Sequence, residues 1–161
     1  MSALFWRLRT LLAWHLARRL FHWPWLVARP AAWRWMEGCF ARRARTGDPQ
    51  ACDFYGHILL FRGQGLAAKE EGLRLLRLAA DAGQGKAAWQ LGIQALKGDL
   101  SHAPDAVEAR RRWEQALAAG HPLAAARLAD LLTEGAPGVP ADLQAAAHYA
   151  AMGIPGVEHR S

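Results

Sequence analysis

The 161-residue sequence is poor in cysteine, in long apolar runs and, over its first part, in acidic side chains. Its two cysteines, Cys39 and Cys52, are too few for a disulfide framework, and their spacing does not say whether they pair; a reducing compartment is the expectation. No stretch approaches the roughly 20 consecutive apolar residues that a bilayer crossing requires. In the first 46 residues the longest uncharged run is only Leu20 to Ala28. The opening lacks a clean apolar core ending in a small-residue cleavage site, so no secretory signal is expected; its arginine-rich, acid-free composition is that of an organelle transit peptide, but the repeat phase described below runs back into it. The expected location is the cytoplasm.

The usual signatures of catalysis are also missing. No glycine loop follows a strand to cradle phosphate, since Gly63 and Gly65 belong to a turn between helical segments. Cys52, Asp53 and His57 fall within two helical turns, but no second Cys/His pair completes a ligand set, and His102, His121 and His148 are scattered. No catalytic residue, metal or cofactor is expected, and the chain reads as a non-enzyme.

What is present is unevenly distributed. The net charge is +6, yet residues 1–46 hold nine arginines against the single acid Glu37, which leaves the remainder slightly acidic. Six of the eight tryptophans lie in the same segment. Two regions of different composition therefore meet near Gly47.

Beyond that point the sequence repeats. Gly47, Gly83, Gly120 and Gly156 are 36, 37 and 36 residues apart, and the first three are each followed four positions later by Ala51, Ala87 and Ala124. Five residues further on stand Gly56, Gly92 and Ala129, while Phe40, Leu76, Trp113 and Tyr149 precede the four glycines by seven. A period of this length signals stacked supersecondary units, none of which can bury its apolar face alone.

Within each unit apolar residues recur at three- and four-residue spacing in two halves, which predicts two helices per unit. The first helices are expected over 51–61, 85–97 and 122–132, and the second over 69–82, 105–119 and 141–152. Gly83 and Gly120 fall where a helix must end, in a conformation that glycine adopts without penalty. Pro122 is expected in the first turn of the following helix. Gly56 and Gly92 fall mid-helix, where glycine costs up to about 1 kcal/mol relative to alanine, so close helix contact is expected there.

These residues carry a family resemblance. Gly138-Val139-Pro140-Ala141-Asp142, with Leu128 before it and Ala145, Ala146 and Tyr149 after it, resembles the Sel-one-like repeat. So do Gly63-Gln64-Gly65-Leu66 with Ala79, Ala80 and Gly83, and Leu91-Gly92 with Asp105, Ala109, Trp113 and Gly120. The second unit departs from the pattern at Gly98-Asp99-Leu100-Ser101-His102-Ala103-Pro104, and Ala129 replaces a glycine in the third. The resemblance implies an all-α fold, an α-α superhelical, right-handed solenoid of antiparallel helix hairpins related to tetratricopeptide repeats. It also implies an adaptor or scaffold role, often in bacterial proteins. Residues 47–156 would form three repeats, 1–46 a Trp/Arg-rich helical hairpin and 157–161 a tail.

In such a scaffold, positions that vary between units while sharing one helix face are the candidates for contact with a protein partner. Spacing puts Phe54, His57 and Phe61 on one face, then Gln90, Ile93 and Lys97, then Arg127, Asp130 and Glu134. A partner helix or extended peptide would lie along this groove. The alternative for each apolar member is burial against a neighbouring helix.

The N-terminal segment reads as helices over 2–22 and 31–46, broken around Pro24 and Pro30. The second has repeat phase through Phe40 and Gly47, so the hairpin is a candidate cap for the solenoid. Trp6, Arg7, Arg9, Trp14, Arg18, Arg19, Trp23 and Trp25 alternatively suit an anionic membrane surface, which would place the chain peripherally at the inner face of a membrane. On a helical wheel the arginines of residues 4–20 scatter among leucines and tryptophans, with no clean polar face. Nucleic acid is not an expected partner, because no supporting fold motif accompanies the basic residues.

Overall fold

A computed structural model describes residues 3–99 and 102–153, with side chains from residue 8 onward. Gly156, the 157–161 tail, and Leu100 and Ser101 of the second unit's variant loop lie outside the described residues. Within them the chain is helical: α1 Ala3–Leu20, α2 Pro24–Val27, α3 Pro30–Arg45, α4 Pro49–Arg62, α5 Gly65–Asp81, α6 Gly85–Lys97, α7 Ala106–Ala118, α8 Ala124–Glu134 and α9 Leu143–Met152. One isolated bridge, Ala136 to Val139, interrupts the loop between α8 and α9. The chain forms two compact units, Met1–Leu78 and Ala79–Ser161, so residues 47–78 group with the N-terminal segment although the composition changes near Gly47.

Helix boundaries follow local chemistry. Asp48 caps α4 by accepting the Ala51 N–H at 2.9 Å, and Pro49 fills the first helical position, which starts the helix earlier than Ala51. Pro24 likewise opens α2, a single turn that the expected break did not include. Pro122 is not in the first turn of α8. The chain first turns back so that the Ala124 N–H reaches the His121 carbonyl at 3.2 Å, and the helix begins at Ala124.

The recurring glycines close helices as expected. Gly83 has φ +88°, its N–H bonds the Ala80 carbonyl at 2.8 Å and the Gln84 N–H bonds the Ala79 carbonyl at 3.0 Å. Gly120, at φ +77°, repeats this pair of bonds through Leu117 and Ala116. In the second unit each hairpin is also clamped by an aspartate. The backbone N–H of Asp105 bonds the Ala95 carbonyl and that of Asp142 the Leu132 carbonyl, both at 2.8 Å. Their carboxylates then cap α7 and α9 by accepting from Glu108, and from Gln144 and Ala145. One residue thus ends the excursion from the first helix and starts the second.

In the first unit α3 packs against α1, α2 and α4. Trp14 and Phe21 of the N-terminal hairpin meet Phe40 and Phe54 edge to face, with ring centroids 5.0 Å apart for Phe40–Phe54 and 5.4 Å for Phe21–Phe54. Such pairs contribute about 0.5–1.5 kcal/mol each beyond their burial. The hairpin therefore covers the aromatic face of α4. Further along, Gly56 and Gly72 let α4 and α5 approach closely: a Cβ on Gly72 would stand 2.9 Å from the Gly56 carbonyl oxygen, and one on Gly56 2.9 Å from Leu76 Cγ.

The second unit is built on α6 packed against α7, α7 against α8 and α8 against α9. Trp113, Leu128, Leu131, Leu132, Val139 and Ala146 form its core with Ala106 and Ala109. Gly92 faces Trp113 so closely that a Cβ there would overlap the indole nitrogen. The indole cannot retreat, being 2% exposed and donating to the Trp89 carbonyl at 3.3 Å. Gly92→Ala gains up to about 1 kcal/mol of helix propensity but overpacks a site where such insertions cost about 1–3 kcal/mol. The variant is expected to unfold at lower denaturant concentration, with a changed near-ultraviolet tryptophan signal; a higher midpoint would show that propensity and not the indole contact governs this position.

Candidate functional site

The second half of α6 presents Ile93, Leu96 and Lys97 on one face, at three- and four-residue spacing. Together with Trp113 of α7 and Arg127 of α8 they line an open cleft of about 270 Å³. Ile93 and Leu96 supply apolar wall over the buried indole of Trp113, and two cations stand at the rim. The volume is below the roughly 300–1,000 Å³ of sites that enclose a whole small molecule, and suits one or two side chains of a larger ligand. Lys97 closes the last turn of α6, where a cation also complements the helix dipole. Arg127 lies 3.9 Å from Asp130, an exposed pair that holds the guanidinium only weakly.

The position of Trp113 is fixed from behind by polar contacts along α7. Arg112 is buried, and its guanidinium donates to Glu108 at 2.7 Å, to Gln115 at 3.1 Å and to Asp81 at 3.2 Å. Gln115 in turn donates to the Ala80 carbonyl at 2.6 Å. Glu108 also takes two bonds from Arg111, and these, with Arg112, hold its carboxyl at a pKa of about 2 despite partial burial. Beside Trp113, Trp89 stacks on His121 with centroids 4.7 Å apart. Burial, aided by the charge of Lys86, pushes the pKa of that imidazole down.

The nine expected contact residues separate into distinct environments. Ile93, Lys97 and Arg127 meet in the cleft. Asp130 and Glu134 are exposed on α8, whereas Gln90 is buried. In the first unit Phe54 is spent on the aromatic cluster with Trp14, Phe21 and Phe40. His57 is half-buried, with Nδ1 2.7 Å from the Asp53 carbonyl oxygen, and its ring lies parallel to the exposed ring of Phe61 at 6.2 Å. Leu96 and Trp113 were not among the expected contacts. Leu96 lies three residues after Ile93 and was legible as its neighbour; Trp113 was masked by its stacking register.

The side chains of Trp6 and Arg7 lie outside the described residues. Of the other N-terminal candidates, Arg9, Arg18, Arg19, Trp23 and Trp25 are exposed. Trp14 is 3% exposed and belongs to the core, which suits the cap alternative and not membrane contact. Cys52 is buried with its thiol 3.5 Å from the Ala44 carbonyl, and burial pushes its pKa up, the opposite of what an activated nucleophile needs. Among the described residues, no group of three or more His, Cys, Asp or Glu side chains is placed to hold a metal ion.

No family model matches the chain, and no curated protein matches it. Solved structures do. A protective antigen present in uropathogenic Escherichia coli strains, displaying an SLR fold, superposes on 73% of the chain with a TM-score of 0.64 at 21% identity. A Sel1 repeat protein from Oxalobacter formigenes superposes on 73% with a TM-score of 0.63 at 24% identity. The chain has the Sel-one-like repeat fold. It spans 25% and 47% of the lengths of those two chains. The cleft opens between α6, α7 and α8.

The ion pairs behind Trp113 carry a pH signature. The carboxyl of Glu108 titrates lower in the folded chain than in the unfolded one, so its stabilisation is complete above about pH 4.5 and is lost as pH falls towards about 2. Glu108→Gln is expected to lower the thermal midpoint at pH 7 and to flatten the midpoint-against-pH curve across that interval. A variant whose curve ran parallel to the wild type would remove Glu108 from this role.

Proposed function

We propose that the chain is a non-enzymatic adaptor that seats an apolar side chain of a protein partner in the cleft between α6, α7 and α8. The observation that carries this reading is the pairing of apolar wall and basic rim: Ile93, Leu96 and Trp113 beside Lys97 and Arg127. Leu96 remains 37% exposed, so further apolar surface is there for a partner to cover. An aromatic anchor against rigid wall is the usual form of an interface hot spot, and charge at the rim selects the partner's sign and speeds encounter.

The partner chemistry follows. A helix or extended segment would place one large aliphatic or aromatic residue in the cleft, with Asp or Glu one turn away to meet Lys97 or Arg127. A repeat scaffold of this fold supports such a role because its helices are preorganised and little ordering is needed on binding.

Panning a random peptide library against the full chain tests this directly. The expected consensus is an apolar anchor flanked by acidic residues, and Lys97→Glu with Arg127→Glu should weaken the selected peptides at least about tenfold, equivalent to about 1.4 kcal/mol. Both side chains are exposed, so the double variant should keep the wild-type circular dichroism spectrum. A basic consensus, or affinities unmoved by the double reversal, would place the binding surface elsewhere.

A further inference from the structure

The N-terminal helix carries a surface that its wheel diagram conceals. Trp14, Ala17 and Phe21 turn inward, so only the opposite half of α1 meets solvent. Leu8, Leu12 and Leu16 form a row there at four-residue spacing, 51%, 71% and 51% exposed. At about 100° per residue the row occupies a wedge of roughly 80°. Arg19 falls within this wedge while His15, His22 and Arg18 run along one side of it, and the four line an open depression of about 450 Å³. The averaged wheel shows no polar face, and on the exposed side Arg19 stands among the leucines, where a long side chain can carry its guanidinium to the headgroups while its stem lies along the apolar row.

We propose that this outer face of α1 docks on an anionic lipid bilayer, with Leu8, Leu12 and Leu16 entering the headgroup region and the neighbouring arginines meeting lipid phosphate. Charge complementarity selects this occupant. Residues 1–36 contain no acidic side chain, so nothing in the segment repels an anionic surface. A second copy docked face to face would bring the same cationic strips together, which opposes a symmetric dimer. A nucleic acid would use the cations but leave the leucine row in water. Trp23 and Trp25, more than half exposed in the same unit and lying 6.1 Å apart, are the residue type that favours the interface between water and acyl chains. No described helix is long and apolar enough to cross a membrane, so the mode is attachment along the surface.

Flotation of the full chain with phosphatidylcholine vesicles, with and without phosphatidylglycerol, tests the assignment. Co-flotation is expected only with the anionic vesicles, and should weaken as salt rises. Leu12→Glu with Leu16→Glu should reduce it by about tenfold or more for each leucine removed from the interface, and His15→Glu with Arg19→Glu should also weaken it, both with unchanged helicity because all four side chains are exposed. Absence of co-flotation, equal co-flotation with neutral vesicles, or insensitivity to the leucine substitutions would each overturn the proposal. So would a wild-type dimer that the leucine substitutions dissolve while vesicles go unbound, or oligonucleotide binding without vesicle binding.

Discussion

A match of small against large between α4 and α5 and between α6 and α7 is the constraint on which the rest of this molecule depends. Gly92 admits the Trp113 indole to the axis of α6, and Gly56 with Gly72 brings α4 within reach of Leu76. Two helices held at such proximity have no room for alternative rotamers, so the larger residue becomes a fixed landmark. In the second repeat that landmark also lines the cleft. The indole is buried beneath Ile93 and Leu96, so the rigidity of the site is inherited from packing.

Charge is organised by a different logic in the two units. Along α7, Arg110 pairs with Glu114, Arg111 with Glu108, and buried Arg112 with both Glu108 and Asp81, so most charge there is consumed in holding the helix. In α1 no acidic residue is available for such pairing, and Arg18 instead lies over aromatic rings, 5.6 Å from the Phe54 centroid. A net charge of +6 consequently describes neither unit well. Electrostatic recognition has to be argued helix by helix.

The repeat phase was legible because it rests on backbone demands that few residues meet. Gly83 and Gly120 had to adopt positive φ, and Asp105 and Asp142 had to cap, so their spacing reported the fold before any packing was known. What spacing could not report was which covering element each apolar face would find. Phe54 shared a face with Phe61, yet the N-terminal hairpin covers the first and leaves the second 64% exposed. The wheel of α1, by contrast, was right that arginines stand among the leucines, but it could not say which side of the helix would be covered. Trp113 keeps the packing role that its register predicts, being buried in the core.

The aspartate clamp has an evolutionary corollary. Because Asp105 and Asp142 reattach the chain to the end of the preceding helix and begin the next one in the same step, the phase of α7 and α9 is set at the clamp and is independent of how the intervening loop arrives there. Residues can be gained or lost upstream of the aspartate without rotating the helix that follows. Length variation is thereby insulated from the core, and the loops after α6 and α8 are where a lineage can experiment with new sequence at little risk to folding.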